Sequence, residues 1–470
     1  MADGISRRGV LGAGLVVAGG AALTPLLVNE ASAAVGATAV SVPNLPWPEA
    51  NQIVNETLAK APSFPDAQFV VTDAKFGAKG DGKTDNTAAF RKAVDACNAA
   101  GGGHVVVPKG DYVTGAVYLK SNVDLHLQDK ASRLLFSGTA GNFPTVLTRY
   151  EGIECMNRSP MIYAFKESNI ALTGPGTLDA AKTSSWNKGS ERAFLESLIA
   201  KGVTDPRKRV VPGSGHNMRS TFVEPYQCDR VLIQGVTLKN PMFWQLHPTL
   251  CTNVIVDGVH TDPSTAHSNT DGCDPESSDH VVIVNCTLGA HDDNIAIKSG
   301  RDADGRRINV PTQNLVVAHC TMNGNFGAIT CGSEQTGGIR NVYAFDIDIV
   351  GQTKFALYVK SNTLRGGFSQ NINLDSVHGA PVRSYVFVTT TYNNQTGKFT
   401  PKFGPFRITN SSCTKAPRVF DVSGLSQEHV KGFTVSNCTF DNVANASNHF
   451  SNTDGISFTN VKINGKTVTK

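Results

Sequence analysis

A short β segment that recurs along the chain constrains the fold more than any other feature. Val231-Leu-Ile-Gln-Gly-Val-Thr-Leu238, Val254-Ile-Val-Asp-Gly-Val-His260, Val281-Val-Ile-Val-Asn-Cys-Thr-Leu288 and Leu315-Val-Val-Ala-His-Cys-Thr-Met322 share one pattern: alternating apolar residues, a polar or glycine corner, then a second short strand. It returns at Val342–Ile349, Phe406–Asn410, Phe433–Phe440 and Ile456–Asn460. The spacing drifts between 23 and 34 residues, with no helical period between segments. Such a coil cannot bury its apolar face alone and must stack on its neighbours. The expected fold is therefore all-β, a parallel β-helix whose coils carry loops of unequal length. A propeller would need longer repeats of four antiparallel strands. A leucine-rich repeat would need a regular Leu/Asn frame, which is absent.

A solenoid must cover its open ends. Phe90, Ala93, Val94 and Cys97 fall on one helical face, and Gly101-Gly102-Gly103 stops the helix, so residues 87–100 are expected to form an N-terminal capping helix. Residues 180–222 are the main interruption, polar, with Trp186 and a short helix expected around Glu191–Lys201. Insertions of this kind rise from one face of a solenoid and often wall its binding groove.

Composition excludes several classes. Among 470 residues only 17% are charged, and 43 basic against 39 acidic residues leave +4, too mild to imply a nucleic-acid partner. Hydrophobic residues at 40% allow a large core. Ser6-Arg7-Arg8-Gly9-Val10-Leu11, a Gly/Ala/Leu/Val stretch and Ala31-Ser32-Ala33 read as a twin-arginine-type signal peptide over residues 1–34. An N-terminal extension over 35–66 and a catalytic β-helix over 67–470 would follow. The expectation is a bacterial protein exported already folded, monomeric and free of the membrane once the signal is cleaved. Ten cysteines enter an oxidising compartment. Cys286, Cys320, Cys413 and Cys438 hold equivalent repeat positions, which suits small core residues at least as well as bridges. No C-x-x-C spacing suggests structural zinc.

In a chain this poor in charge, one concentration of carboxylates stands out. Asn269-Thr270-Asp271-Gly272-Cys273-Asp274 is followed by His291-Asp292-Asp293-Asn294-Ile295-Ala296-Ile297-Lys298-Ser299-Gly300. Asp271 and the Asp292/Asp293 pair are 21 and 22 residues apart, close to one coil. Residues one coil apart stack roughly 4.8 Å apart on one face. Crowded like charges raise at least one pKa, leaving an acid beside a base. That is the requirement of glycoside hydrolysis. A calcium site or turn-forming aspartates are the bland alternatives.

These residues carry a resemblance. The chain is similar to the polygalacturonase family of glycoside hydrolases, pectin-degrading enzymes with a right-handed parallel β-helix, over nearly all of its length after the signal. Phe76-Gly-Ala-Lys-Gly-Asp-Gly-Lys-Thr-Asp85, Tyr118–Leu127 and Phe243-Trp244-Gln245-Leu246-His247-Pro248 resemble shared segments. The two aspartate motifs are the most specific matches. The resemblance implies an inverting hydrolase that needs no metal or other cofactor, with Asp292 as general acid and Asp271 and Asp293 holding and activating water. Substrate contacts are expected from Asn269, Lys298, Lys360, His267, Arg340 and Tyr392.

Two positions depart from the family pattern. Phe326 stands where a histidine is expected, and Tyr358 replaces the arginine of Arg-Ile-Lys, leaving Tyr358-Val359-Lys360. A phenol cannot supply a bidentate cationic fork. The aspartates are therefore expected to work on a pectic polysaccharide whose leaving-side sugar is neutral, esterified or differently linked, rather than on plain polygalacturonate. A rhamnogalacturonan hydrolase, a polysaccharide lyase and a non-catalytic glycan-binding β-helix are the competing functions. Binding alone gives no reason to crowd carboxylates in one groove.

Overall fold

The computed structural model describes residues 36–262 and 267–469; the expected signal over residues 1–34 lies outside them. Among these residues the chain is a right-handed parallel β-helix. The first sheet starts at Gln68–Val70, Gly103–Val107, Val123–Leu127, Ser168–Thr173, Asp229–Gln234, Thr252–Asp257 and Asp279–Val284, and continues to Thr453–Ile463. Its register places Val105 on Leu125, Leu125 on Leu172, Leu172 on Ile233, Ile233 on Val256, Val256 on Ile283 and Ile283 on Val317. The first strand of every recurring segment lies in this sheet, whereas the second strand of Val231–Leu238, Thr237–Lys239, pairs in a separate sheet. A coil that the apolar pattern does not reveal, Phe368–Gly379, sits among them, its alternation diluted by Gln370, Asn371 and Asn373.

Every coil turns through left-handed backbone, which asparagine tolerates better than other side-chain-bearing residues. Asn314, Asn341 and Asn371 have φ of 54°, 56° and 54° in successive coils. Their side chains then hydrogen-bond along the stack, Asn341 Nδ2 to Asn314 Oδ1 and Asn371 Nδ2 to Asn341 Oδ1, each 3.0 Å. All ten cysteines are free and buried; Cys286 and Cys320 occupy core positions on neighbouring coils.

Helix α1 (Pro48–Leu58) was not expected. Residues 36–66 cross the outer face of the first sheet, where Ile53 and Val54 cover Ile255, Val282 and Val316, apolar residues pointing away from the core. Helix α2 (Thr87–Ala99) fits the expected lid: Phe90, Ala93, Val94 and Cys97 are buried against the first coils, and Gly102 N–H closes onto Cys97 C=O at 3.0 Å. The expected short helix is α3 (Arg192–Ala200).

A second interruption escapes the sequence pattern. Thr145–Tyr150 and Ile153–Arg158 form an antiparallel hairpin that packs on Tyr163 and Glu224. Hairpin, α3 and their neighbours enclose a satellite core of Tyr150, Ile153, Leu195, Val211, Met218, Phe243 and Trp244. Among the described residues no helix is long and apolar enough to cross a membrane.

The stacked column predicts its own sensitivity. Ile283 is fully buried between Val256 and Val317, so Ile283→Ala should cost about 2–5 kcal/mol. Equilibrium denaturation checks this; an unchanged midpoint would refute the packing role.

Candidate active site

The second sheet carries the carboxylates. It begins with Val117–Tyr118, Ile162–Phe165 and Val223–Tyr226, passes through single bridges at Leu246 and Cys273, and resumes with Ile295–Ile297, Gly327–Gly332, Phe355–Lys360 and Ser384–Thr389. Cys273, Ile295 and Ile329 point inward at one register position. Asp271 and Asp293, each two residues earlier, therefore stand on adjacent coils. Gly272 N–H donates to Asp293 C=O at 3.0 Å and Cys273 N–H to Asn294 C=O at 2.9 Å. A Cβ at Gly272 would sit 2.6 Å from Asn294 C=O, so this close approach requires glycine.

Asp271, Asp292 and Asp293 each present an oxygen within 4.8 Å of the others. Their surroundings differ. Three donors converge on Asp293: Lys360 Nζ at 2.9 Å, Gly327 N–H at 2.7 Å and the Thr330 hydroxyl at 2.8 Å. A Cβ at Gly327 would collide with that hydroxyl. Asp292 is less enclosed and receives Asn269 Nδ2 at 3.5 Å and Asp293 N–H at 3.0 Å. Burial, then Asp274 and Asp292, push the Asp271 carboxyl well above its ordinary range. Burial, then Asp293, raise Asp292.

Lys298 and Lys360 sit inside the cluster. Lys298 Nζ lies 3.3 Å from Asp274, 3.3 Å from Glu334 and 3.6 Å from Asp271, and 4.5 Å from the centre of the Trp244 ring. Burial alone would lower its pKa, but Glu334, Asp274 and Asp271 more than reverse this. Burial pushes Asp274 up to about 7 even with Lys298 beside it. Burial also opposes ionisation of Glu334; Arg301, Lys298 and Arg365 nonetheless hold it well below the carboxylate range. Lys360 is 6% exposed, faces the Tyr358 and Tyr392 rings at 4.5 and 5.4 Å, and spends its charge on Asp293. The two lysines expected to face substrate are thus primarily counterions of the carboxylates.

The remaining expected residues divide. Tyr392 reaches the site from a late loop, beside Lys360. Phe326 borders Asp292, its N–H donating to Asp292 C=O at 3.1 Å. Tyr358 is 7% exposed and stacks on Phe387 at 5.5 Å. His267 is exposed at the rim, where its C=O accepts from Thr270. Arg340 stands apart: it pairs with Gln313 in the first sheet and hydrogen-bonds that side chain at 2.7 Å, so it is not part of the cluster. Sequence reasoning missed Arg219, which donates to Ser268 C=O at 2.5 Å and Asn269 Oδ1 at 3.1 Å, tying the 180–222 insertion to the aspartate motif. It also missed Asp274 as a member and Glu334; the Gly332-Ser333-Glu334 strand end beside the motif was the available signal.

The hairpin packs laterally against the coils that carry the carboxylates. Gly152 packs so closely that a Cβ there would meet Arg301 N–H at 2.8 Å and Glu334 at 3.0 Å. Beyond Asp292 every residue of Phe355–Lys360 is buried, and in Ser384–Thr389 only Phe387 and Thr389 are half-buried.

Comparison with known proteins agrees with this geometry. Residues 210–416 match the family described as Glycosyl hydrolases family 28, and residues 70–161 match Rhamnogalacturonase A/epimerase, pectate lyase-like. The solved structure of a hyperthermoactive exopolygalacturonase from Thermotoga maritima is 33% identical, covers 89% of this chain and 96% of its own, and superimposes with a TM-score of 0.81. The chain belongs to glycosyl hydrolase family 28. A probable polygalacturonase of Vitis vinifera is 26% identical over 79% of this chain and 74% of its own length. An exo-poly-alpha-D-galacturonosidase of Dickeya chrysanthemi is 27% identical over 72% and 60% respectively. The protein is a polygalacturonase-like glycoside hydrolase.

Removing one member of a buried ion pair leaves the other uncompensated, typically at a cost of about 3–5 kcal/mol. Lys360→Met should therefore destabilise the fold by about that amount, and the additional change Asp293→Asn should recover part of it. Denaturation of the single and double variants checks the pairing.

Proposed function

We propose that the protein is an exported, exo-acting polygalacturonase that inverts the anomeric centre it cleaves. The observation that carries this reading is the carboxylate triad, in which a donor-held Asp293 stands beside the less enclosed Asp292. The names of the Thermotoga maritima and Dickeya chrysanthemi relatives support the exo mode. The twin-arginine-type segment at residues 1–34 supports export.

In this mechanism Asp292 protonates the leaving glycosidic oxygen. Burial and the neighbouring Asp293 favour its protonated form, as a general acid requires. Asp271 and Asp293 orient a water, and Asp293 accepts its proton as it attacks the opposite face of the sugar. Lys360, Gly327 N–H and Thr330 fix the Asp293 carboxylate for that task.

The short oxygen spacing favours one second reading. Inverting glycosidases commonly hold their two carboxyls about 6.5–9.5 Å apart and retaining ones about 5–5.5 Å apart. A retaining route would need a free carboxylate nucleophile, yet Asp293 is 1% exposed and held by three donors. A lyase would use the triad for a cation; Lys298 and Lys360 already offset its charge from within.

One experiment tests the reading: incubation with de-esterified homogalacturonan, with products followed by chromatography and early-time NMR, with and without chelator. Single end-sugars of inverted configuration, formed equally with chelator, are expected. Retained configuration would establish the double-displacement route. Ultraviolet-absorbing unsaturated products, lost with chelator and rescued by calcium, would establish the lyase.

Asp292→Asn keeps the shape but cannot donate the proton, so turnover should fall about 10²–10⁴-fold with the fold intact. In the parent enzyme the loss of that proton ends activity on the basic side. Because the Asp292 pKa is raised, this limb should lie above the ordinary carboxylate range of about 4. Near-normal turnover of the purified variant would remove Asp292 from the acid role.

A further inference from the structure

The outer face near the triad includes cations of two kinds. Lys298 and Lys360 are buried and paired with carboxylates. Lys354 and Arg383 are not paired: among the described residues neither lies within 4.0 Å of a carboxylate oxygen. Lys354 is half-buried and Arg383 exposed. Neither was singled out by the sequence.

Their placement follows from the stacking of coils. Phe326 N–H donates to Asp292 C=O at 3.1 Å, Lys354 N–H to Phe326 C=O at 2.7 Å, and Arg383 N–H to Lys354 C=O at 3.2 Å. Asp292, Phe326, Lys354 and Arg383 thus occupy one line across four successive coils, leading away from the coil of Asp271. Adjacent backbones in such a stack are about 4.8 Å apart. The side chains form a cationic and aromatic surface. Lys354 Nζ stands 3.3 Å from the centre of the Phe326 ring. The Arg383 guanidinium stands 5.1 Å from Phe387 and 5.6 Å from Phe355, and Tyr358 and Phe387 stack beneath at an interplanar angle of 19°.

A half-buried lysine and an exposed arginine with no carboxylate oxygen within 4.0 Å can each gain from a substrate anion. The fork missing at Tyr358 is available one coil further on, in the planar guanidinium of Arg383, with Lys354 as a point charge nearer the triad. We propose that Lys354 and Arg383 are specificity-determining residues that bind the carboxylate of the sugar on the leaving side of the scissile bond, selecting free uronate over its ester. This assignment rests on the galacturonan-hydrolase reading above. It reverses the preference for a neutral or esterified leaving sugar that position 358 alone suggests.

The test uses the full enzyme and Lys354→Gln, Arg383→Gln and the double variant, each checked for unchanged thermal unfolding. Substrates are an oligogalacturonide with free carboxylates and the same oligomer fully methyl-esterified. A lost charge-assisted contact should raise KM on the free acid by about ten- to a hundredfold, with kcat changed far less. On the ester the variants should match the parent, and Arg383→Lys should recover part of the loss. Added salt should raise the parent's KM on the free acid and leave that of the double variant nearly flat. If the parent cleaves the free acid and the folded double variant keeps its KM, or if both substrates suffer equally, the assignment is wrong. If the parent cleaves no galacturonide, the function reading itself fails and the assignment falls with it.

Discussion

The hydrogen-bonded stacking of one coil on the next is the constraint on which this enzyme depends. It fixes neighbouring backbones at about 4.8 Å and repeats every side chain's direction from coil to coil. In the core it builds columns such as Val256, Ile283 and Val317. On the outer face of the second sheet it brings Asp271 and Asp293 together, though their charges repel. A free loop would separate such charges; a hydrogen-bonded stack cannot without breaking the ladder.

The energy of that crowding is managed by placing ammonium and guanidinium groups in the same layer. Lys298 serves Asp271, Asp274 and Glu334, and Lys360 serves Asp293. Arg301 and Arg365 border Glu334 from the side of the hairpin and the late loop. Buried ions are costly unless paired and hydrogen-bonded, so these partners make the carboxylate cluster compatible with folding. They also make the carboxylates unequal. Asp293 is enclosed by donors, whereas Asp292, less enclosed, lies where burial and a neighbouring anion favour its proton. Division of labour among chemically identical groups arises from these differences in partners.

The irregular segments give the groove its direction. The hairpin Thr145–Arg158 and the 180–222 insertion pack around Tyr150, Leu195 and Trp244, a small core separate from the main column. Arg219 then locks that wall to Asn269. Beyond Asp292 the line Phe326, Lys354, Arg383 follows the helix axis. Stacking supplies the chemistry, and the interruptions of stacking supply the boundaries of the substrate site.

Much of the fold is legible in the chain itself. Alternation in Val281-Val-Ile-Val-Asn-Cys-Thr-Leu288 and its relatives specifies strands and their inward faces, because side-chain direction in a strand has a period of two. Separation by about one coil places Asp271 near Asp292 and Asp293, because the repeat length sets vertical neighbours. What the chain alone leaves open depends on lateral neighbours and on irregular segments, which have no period. The hairpin and helix α1 are of that kind: α1 is needed only because Ile255, Val282 and Val316 point outward, a fact invisible until the register is known. The same limit explains the cations. Lys360 and Lys298 look like substrate ligands in sequence because their motif positions suggest it; only the tertiary structure turns them inward to carboxylates. Arg340 looks near the groove in sequence order but belongs to another sheet. Lys354 and Arg383 carry no motif at all, and their alignment with Asp292 exists only because three separate loops close their coils at the same height.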